Sequence, residues 1–105
     1  MENRKKVIYI AGPITGVERY WEAFEAAEDE LLGLGFKPLS PSRLPIDLTN
    51  AQYAKINFAT IDAADAVYFL PGWEKSKGAQ LEMSYCLYTD KPIITSLEFL
   101  AEVIG

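Results

Sequence analysis

The sequence changes period repeatedly, and that alternation restricts the architecture more than any other feature. Val7-Ile8-Tyr9-Ile10 is a continuous β-rich run too short for a helix, closed by Ala11-Gly12-Pro13. From Tyr20 the spacing becomes helical: Tyr20, Phe24, Ala27, Leu31 and Leu34 share a stripe, with Glu22, Glu25, Asp29 and Glu30 on other faces. Gly33 and Gly35 end that helix, and Phe36 to Leu39 reads as a second strand, at an edge because of Pro38. Ser40 to Leu48, with Pro41 and Pro45, is loop; Thr49 or Asn50 caps a helix running to about Ala64. Ala66 to Leu70 is a third strand, Gly78 to Tyr88 a third helix, Ile93 to Thr95 a fourth strand, and Leu97 to Ile104 a terminal helix.

The resulting order, β-α-β-α-β-α-β-α, demands right-handed crossovers and a mostly parallel sheet with helices on both faces. Ligands of such folds bind at the carboxyl ends of the strands, near the point where strand order reverses. The loops after Ile10 and Leu70 are therefore the expected functional positions. At 105 residues, without repeats or linkers, the chain is expected to form one domain over its whole length.

Composition narrows the chemistry. Ten Lys+Arg against 15 Asp+Glu leave a formal charge of −5, which disfavours nucleic-acid polymers and anionic membranes as partners. The chain has no histidine and one cysteine, Cys86, so a His-based triad and an intramolecular disulfide are excluded, and the usual zinc sites have no ligand set. Acid–base work falls to carboxylates, tyrosines or lysines. No apolar run reaches membrane-spanning length, and the polar, basic start lacks the apolar core of a signal peptide, so a cytoplasmic protein is expected.

Several residues break the apolar pattern. Ala79, Met83 and Cys86 form the inward stripe of the third helix, and Glu82 lies beside them. It reads either as an acid placed near the positive end of a helix dipole or as a carboxylate held in a cleft. Asn57 lies on the Ala54, Phe58, Ile61 stripe of the second helix, where a buried amide needs partners, structural or ligand. Tyr9 carries a hydroxyl from a central strand toward the cleft or serves only as core. Trp73 either stacks on a flat ligand or covers the core. Ser76 fits an N-cap and, with the amides of Gly78 and Ala79, makes an anion-receptive helix start. Gly12 and Gly16 match neither of the usual phosphate-binding glycine motifs.

Y-I-A-G-P-I-T-G at Tyr9–Gly16, D-A-V-Y-F-L-P-G-W at Asp65–Trp73 and S-K-G-A-Q-L-E at Ser76–Glu82 resemble a small phage- and prophage-associated branch of the nucleoside 2-deoxyribosyltransferase-like superfamily, the domain of unknown function 4406 group. The resemblance spans nearly the whole chain. It implies a three-layer, Rossmann-like (flavodoxin-like) α/β domain with a four- to five-stranded sheet. It makes Glu82 the glutamate that attacks the anomeric carbon and Tyr9 the tyrosine that positions it. Ser76 and the amides after it would lie near the sugar or a 5′-phosphate, with Gly12, Pro13, Gly16, Asp65 and Trp73 completing the substrate contacts. The family's aspartate, eight positions before the Asp65-type residue, handles the leaving base; here Asn57 takes its place, and an amide cannot donate a proton as a carboxylic acid does.

The expected activity is cleavage or exchange of the N-glycosidic bond of a nucleoside or nucleoside monophosphate through a glycosyl-enzyme, without metal or cofactor. The alternative is a non-catalytic nucleotide-binding or nucleotide-sequestering module; a purely structural protein explains neither Glu82 nor Asn57. The expected partners are a small nucleoside or nucleotide and a second copy of the chain, most simply in a two-fold dimer burying Tyr20, Trp21, Tyr85 and Tyr88.

Overall fold

Residues 6–100 are described by the computed structural model. Four strands, β1 (Val7–Ala11), β2 (Lys37–Leu39), β3 (Ala66–Phe69) and β4 (Ile93–Ile94), form one sheet in the order β2-β1-β3-β4. Every pairing is parallel, with Tyr9 opposite Leu39 on one side and Val67 on the other. Three helices alternate with them: α1 (Tyr20–Gly33), α2 (Asn50–Ala63) and α3 (Lys77–Thr89). The strand order matches the first four strands of the flavodoxin-like arrangement, and the molecule is a Rossmann-like α/β domain.

The pleat of β1 divides the core. Ile8 and Ile10 point to one face, where Phe24, Ala27 and Leu31 of α1 cover them. Tyr9 and Ala11 point to the other, against Ile61 of α2 and Cys86 of α3, with Val67 and Phe69 beside them. β1, paired on both sides and covered on both faces, can therefore be apolar throughout. β2 is an edge strand, which is where Pro38 can sit without costing a ladder bond.

Local chemistry sets the helix starts near the expected positions. Thr49 caps α2 in a capping box: its hydroxyl accepts from the Gln52 N–H at 3.1 Å, and the Gln52 side chain accepts from the Thr49 N–H at 2.9 Å. Ser76 caps α3 as expected, and the helix begins at Lys77, one residue before the expected Gly78. Of the terminal helix expected over Leu97 to Ile104, the described residues hold a 3-10 turn at Leu97–Phe99 that leads into helical Leu100; residues 101–105 lie outside the description.

The switch point lies between β1 and β3. There the two loops touch: a Cβ added to Gly12 would stand 3.0 Å from the Leu70 Cβ, too close without a shift. Gly72, at φ +91°, lets the second loop turn back beside Pro13.

Candidate active site

Glu82 is brought to the centre of the molecule by helical spacing alone. It sits three residues after Ala79 and four before Cys86, both buried against the sheet, and is itself only 8% exposed. Opposite it, β1 presents Tyr9, whose ring is in the core and whose hydroxyl donates to Glu82 Oε2 at 2.9 Å. Asn57, half-buried on α2, stands near enough to the same carboxylate for its amide to favour the ionised form. One strand and two helices thus converge on a single acid.

Two opposing effects set its ionisation. Burial disfavours the carboxylate and pushes its pKa up, whereas the Tyr9 hydroxyl and the nearby Asn57 amide favour the ionised form and pull it down. Burial is the larger effect, and the group titrates at about 7. Tyr9 is shifted far upward, first by burial and then by the adjacent carboxylate, so it remains a protonated donor at any physiological pH. Cys86, one turn beyond Glu82, is pushed up to about 11 by burial and by that same acid. The cysteine is thus an inert packing group rather than a nucleophile.

A cavity of about 150 Å³ opens beside this pair, lined by Tyr9, Asn57 and Thr60 together with Leu39, Ser40, Pro41, Leu44 and Ile56. Glu82 does not line it; Tyr9, which bonds the acid, and Asn57, which stands near it, do. A larger recess of about 580 Å³ runs outward over α2 and shares Leu39, Ile56 and Thr60 with the cavity. It is shallow and mostly apolar, its one ionisable lining group is Lys55, and neither Tyr9 nor Asn57 borders it, so the smaller cavity is the functional candidate.

The outer wall of the cavity is fixed from the opposite side of the sheet. Glu28 on α1 is 7% exposed, and the Arg43 guanidinium grips it with both arms, at 2.8 and 3.2 Å. The loop carrying Ser40, Pro41 and Leu44 is tied down through this pair. The sequence marks Ser40 to Leu48 as a loop but does not place it at the site, and Glu28 was not among the expected site residues. The signal was present: Glu28 follows Phe24 by four and precedes Leu31 by three, the same intrusion into a buried stripe that marks Glu82.

Other expected site residues have structural roles. Asp65 stands at the amino ends of the strands, where its carboxylate accepts from the Val7 N–H at 2.7 Å and its own N–H bonds the Val7 carbonyl. It ties β3 to β1 at the end of the sheet away from the ligand-binding loops, so it is a strand clamp and not a substrate contact. Trp73 is half-buried, tilted against Phe69 with ring centroids 5.4 Å apart, and packs on the core. Of the two expected roles, core cover is the one this packing displays. The Ser76 hydroxyl accepts from the Ala79 N–H at 3.2 Å, so this amide is already satisfied and the anion-receptive start reduces to the N–H groups of Lys77 and Gly78. Gly12 and Pro13 lie at the carboxyl end of β1, as expected, and Gly16 occupies an exposed turn at φ +78°.

Among the described residues no three His, Cys, Asp or Glu side chains cluster as metal ligands, and no buried side-chain nitrogen or oxygen lacks a partner. Nor is any helix among them long and apolar enough to cross a membrane.

Fold and site together define a class: a parallel α/β domain that buries one acid between a strand phenol and a helix amide, beside a small cavity. The family model described as Domain of unknown function (DUF4406) matches residues 6–95, and the chain belongs to that family. No curated protein matches the chain.

Proposed function

We propose that this domain cleaves or exchanges the N-glycosidic bond of a nucleoside or nucleoside monophosphate, with Glu82 as nucleophile. The observation that carries the reading is the buried Tyr9–Glu82 pair at 2.9 Å, with an acid that ionises near neutral pH. Kinship with the phage- and prophage-associated branch of the nucleoside 2-deoxyribosyltransferase-like superfamily belongs to the same proposal, as do a cytoplasmic setting and assembly into a two-fold dimer.

In this mechanism the ionised Glu82 attacks the anomeric carbon while the C–N bond breaks. The bond's electron pair leaves with the base nitrogen, which takes its proton from water. Tyr9 keeps its own proton and orients the carboxylate. Asn57, beside the acid, hydrogen-bonds the departing base but supplies no proton. Water, or the nitrogen of a second base, then attacks the glycosyl ester and releases Glu82, completing a double displacement.

A second reading is favoured by one residue. Asn57 stands where proton donation to the base is needed, and an amide there suits a module that binds a nucleotide without cleaving it. Incubation with a panel of nucleosides and monophosphates, followed by chromatography for free base, separates the two. Release of base that falls at least about 10²-fold in Glu82→Gln supports catalysis. Ligand-induced thermal stabilisation without release supports the binder, and release undiminished in Glu82→Gln removes the acid from the mechanism.

A further inference from the structure

An acid at position 28 interrupts the core face of α1. Glu28 follows Phe24 by four residues and precedes Leu31 by three, both fully buried, and a leucine there would continue the stripe without burying a charge. Pairing with Arg43 offsets the penalty, yet a buried ion pair is commonly no more stabilising than apolar side chains of similar volume. What the pair supplies and a leucine cannot is direction. Two bonds from one planar guanidinium, at 2.8 and 3.2 Å, fix Arg43 on α1, and with it the loop after β2. Glu25 and Asp29 also attract this guanidinium, but the bonds go to Glu28.

The same loop is held a second time, from α2. The Tyr53 hydroxyl donates to the Pro45 carbonyl at 2.5 Å and accepts from the Leu48 N–H at 3.4 Å. Between the two tethers lies Leu44, with Arg43 before it and Pro45 after it in the chain. Leu44 belongs to no helix or strand, and it borders the cavity that Tyr9 and Asn57 also line. Its place there is therefore set by its neighbours' bonds. Neither tether bonds Tyr9 or Glu82, which β1 and α3 carry.

We propose that Glu28 and Tyr53 are positioning residues: holding the Ser40–Leu48 loop from two sides, they seat Leu44 at the cavity and set the affinity of the site for its ligand, without acting on Glu82. The inference deepens the glycosidic reading, and it rests on that reading for turnover but not for the affinity it predicts.

The test is steady-state kinetics and thermal melting of the full chain, native and as Glu28→Leu, Tyr53→Phe and Arg43→Lys. The probes are uridine, deoxyuridine, adenosine, deoxyadenosine and their 5′-monophosphates, and a calorimetric Kd replaces KM for a probe that binds without turnover. A loop left in place about a tenth of the time weakens apparent affinity about tenfold, so KM should rise by that factor in Glu28→Leu and Tyr53→Phe. Their kcat should stay within about twofold of native, because the reacting groups are untouched. Glu28→Leu should melt no lower than the native chain, since the Arg43 it releases is exposed and leaves no buried charge unpaired. Arg43→Lys keeps the charge but not the fork, and should show part of the rise in KM. An unchanged KM in any folded variant, a kcat that falls while KM holds, or a KM that rises only as far as Glu28→Leu loses stability overturns the proposal. The two readings fail separately. Base release with KM unmoved leaves the glycosidic chemistry standing alone, and tenfold weaker binding without release from any probe leaves the tethers standing and removes the chemistry. A chain that neither binds nor cleaves any probe overturns both.

Discussion

At the scale of single residues, one protonation links stability to the site. Glu82 titrates at about 7 when folded against an ordinary value of 4.5, so between those values the folded chain holds a proton that the unfolded chain has lost. The sign follows: this stabilisation is full below about pH 4.5 and is lost as pH rises through 7. Its magnitude is on the order of 3 kcal/mol, a large share of what a domain of this size has to spare. Glu82→Gln keeps the shape and removes the titration. Urea unfolding of both forms from pH 4 to pH 8 should show the native chain weakening relative to the variant across that window, and parallel curves would mean that Glu82 is solvated. Glu82 was legible in the sequence as an acid on an apolar stripe, as was its alternative as an ordinary dipole partner. What decided between them was Tyr9, 73 positions away, whose hydroxyl meets the acid where α3 packs on the sheet.

At the scale of elements, the helix starts carry most of the local information. Ser76 satisfies the Ala79 N–H, and Thr49 with Gln52 closes a reciprocal box, both short-range interactions that a sequence displays openly. Ser76→Ala should cost about 1 kcal/mol and lower the melting temperature by roughly 4–8 °C. Because that hydroxyl is spent on its own helix, base and nucleoside affinity should stay unchanged once the variant is folded. A loss of affinity in calorimetry well beyond the loss of folded protein would return Ser76 to the ligand contacts. The loop after β2 was legible only as a loop. Its prolines exclude regular structure but do not say which helix it packs on, and the Arg43–Glu28 pair that fixes it is a long-range match of one exposed cation to one buried acid.

At the scale of the whole molecule, the expected dimer surface divides. Tyr20 and Tyr85 are half-buried, Tyr20 edge-on to Phe24 and Tyr85 stacked on Phe58 at 4.4 Å with its hydroxyl on Asp62. Trp21, 46% exposed, and Tyr88, 90% exposed, belong to helices on opposite faces of the sheet, so one two-fold contact covers one of them and not both. The α2–α3 side, with Leu81, Leu87 and Tyr88 all exposed, is the larger apolar offering. Sedimentation at micromolar concentration should show a dimer that Tyr88→Glu weakens and Trp21→Glu does not. A monomer throughout removes the self-association, and the reverse pattern moves it to α1.

The alternation of β-rich runs with helical stripes was sufficient by itself to determine a parallel sheet covered on both faces, because burial on two sides and a 3.6-residue period are properties of local composition. It also placed β2 at an edge, through Pro38, and put Glu82 and Asn57 on inward faces. The tertiary structure alone decided which intrusions share a site. Asp65 and Trp73 lie within a motif as distinctive as the one containing Glu82, yet one clamps strands at the far end of the sheet and the other packs on Phe69. Glu28, whose spacing marks it as an intrusion on the α1 stripe but not what it pairs with, holds the loop that walls the cavity. Spacing along a chain specifies the face a residue occupies, but the partner it meets there depends on contacts tens of residues away, which only the assembled sheet brings together.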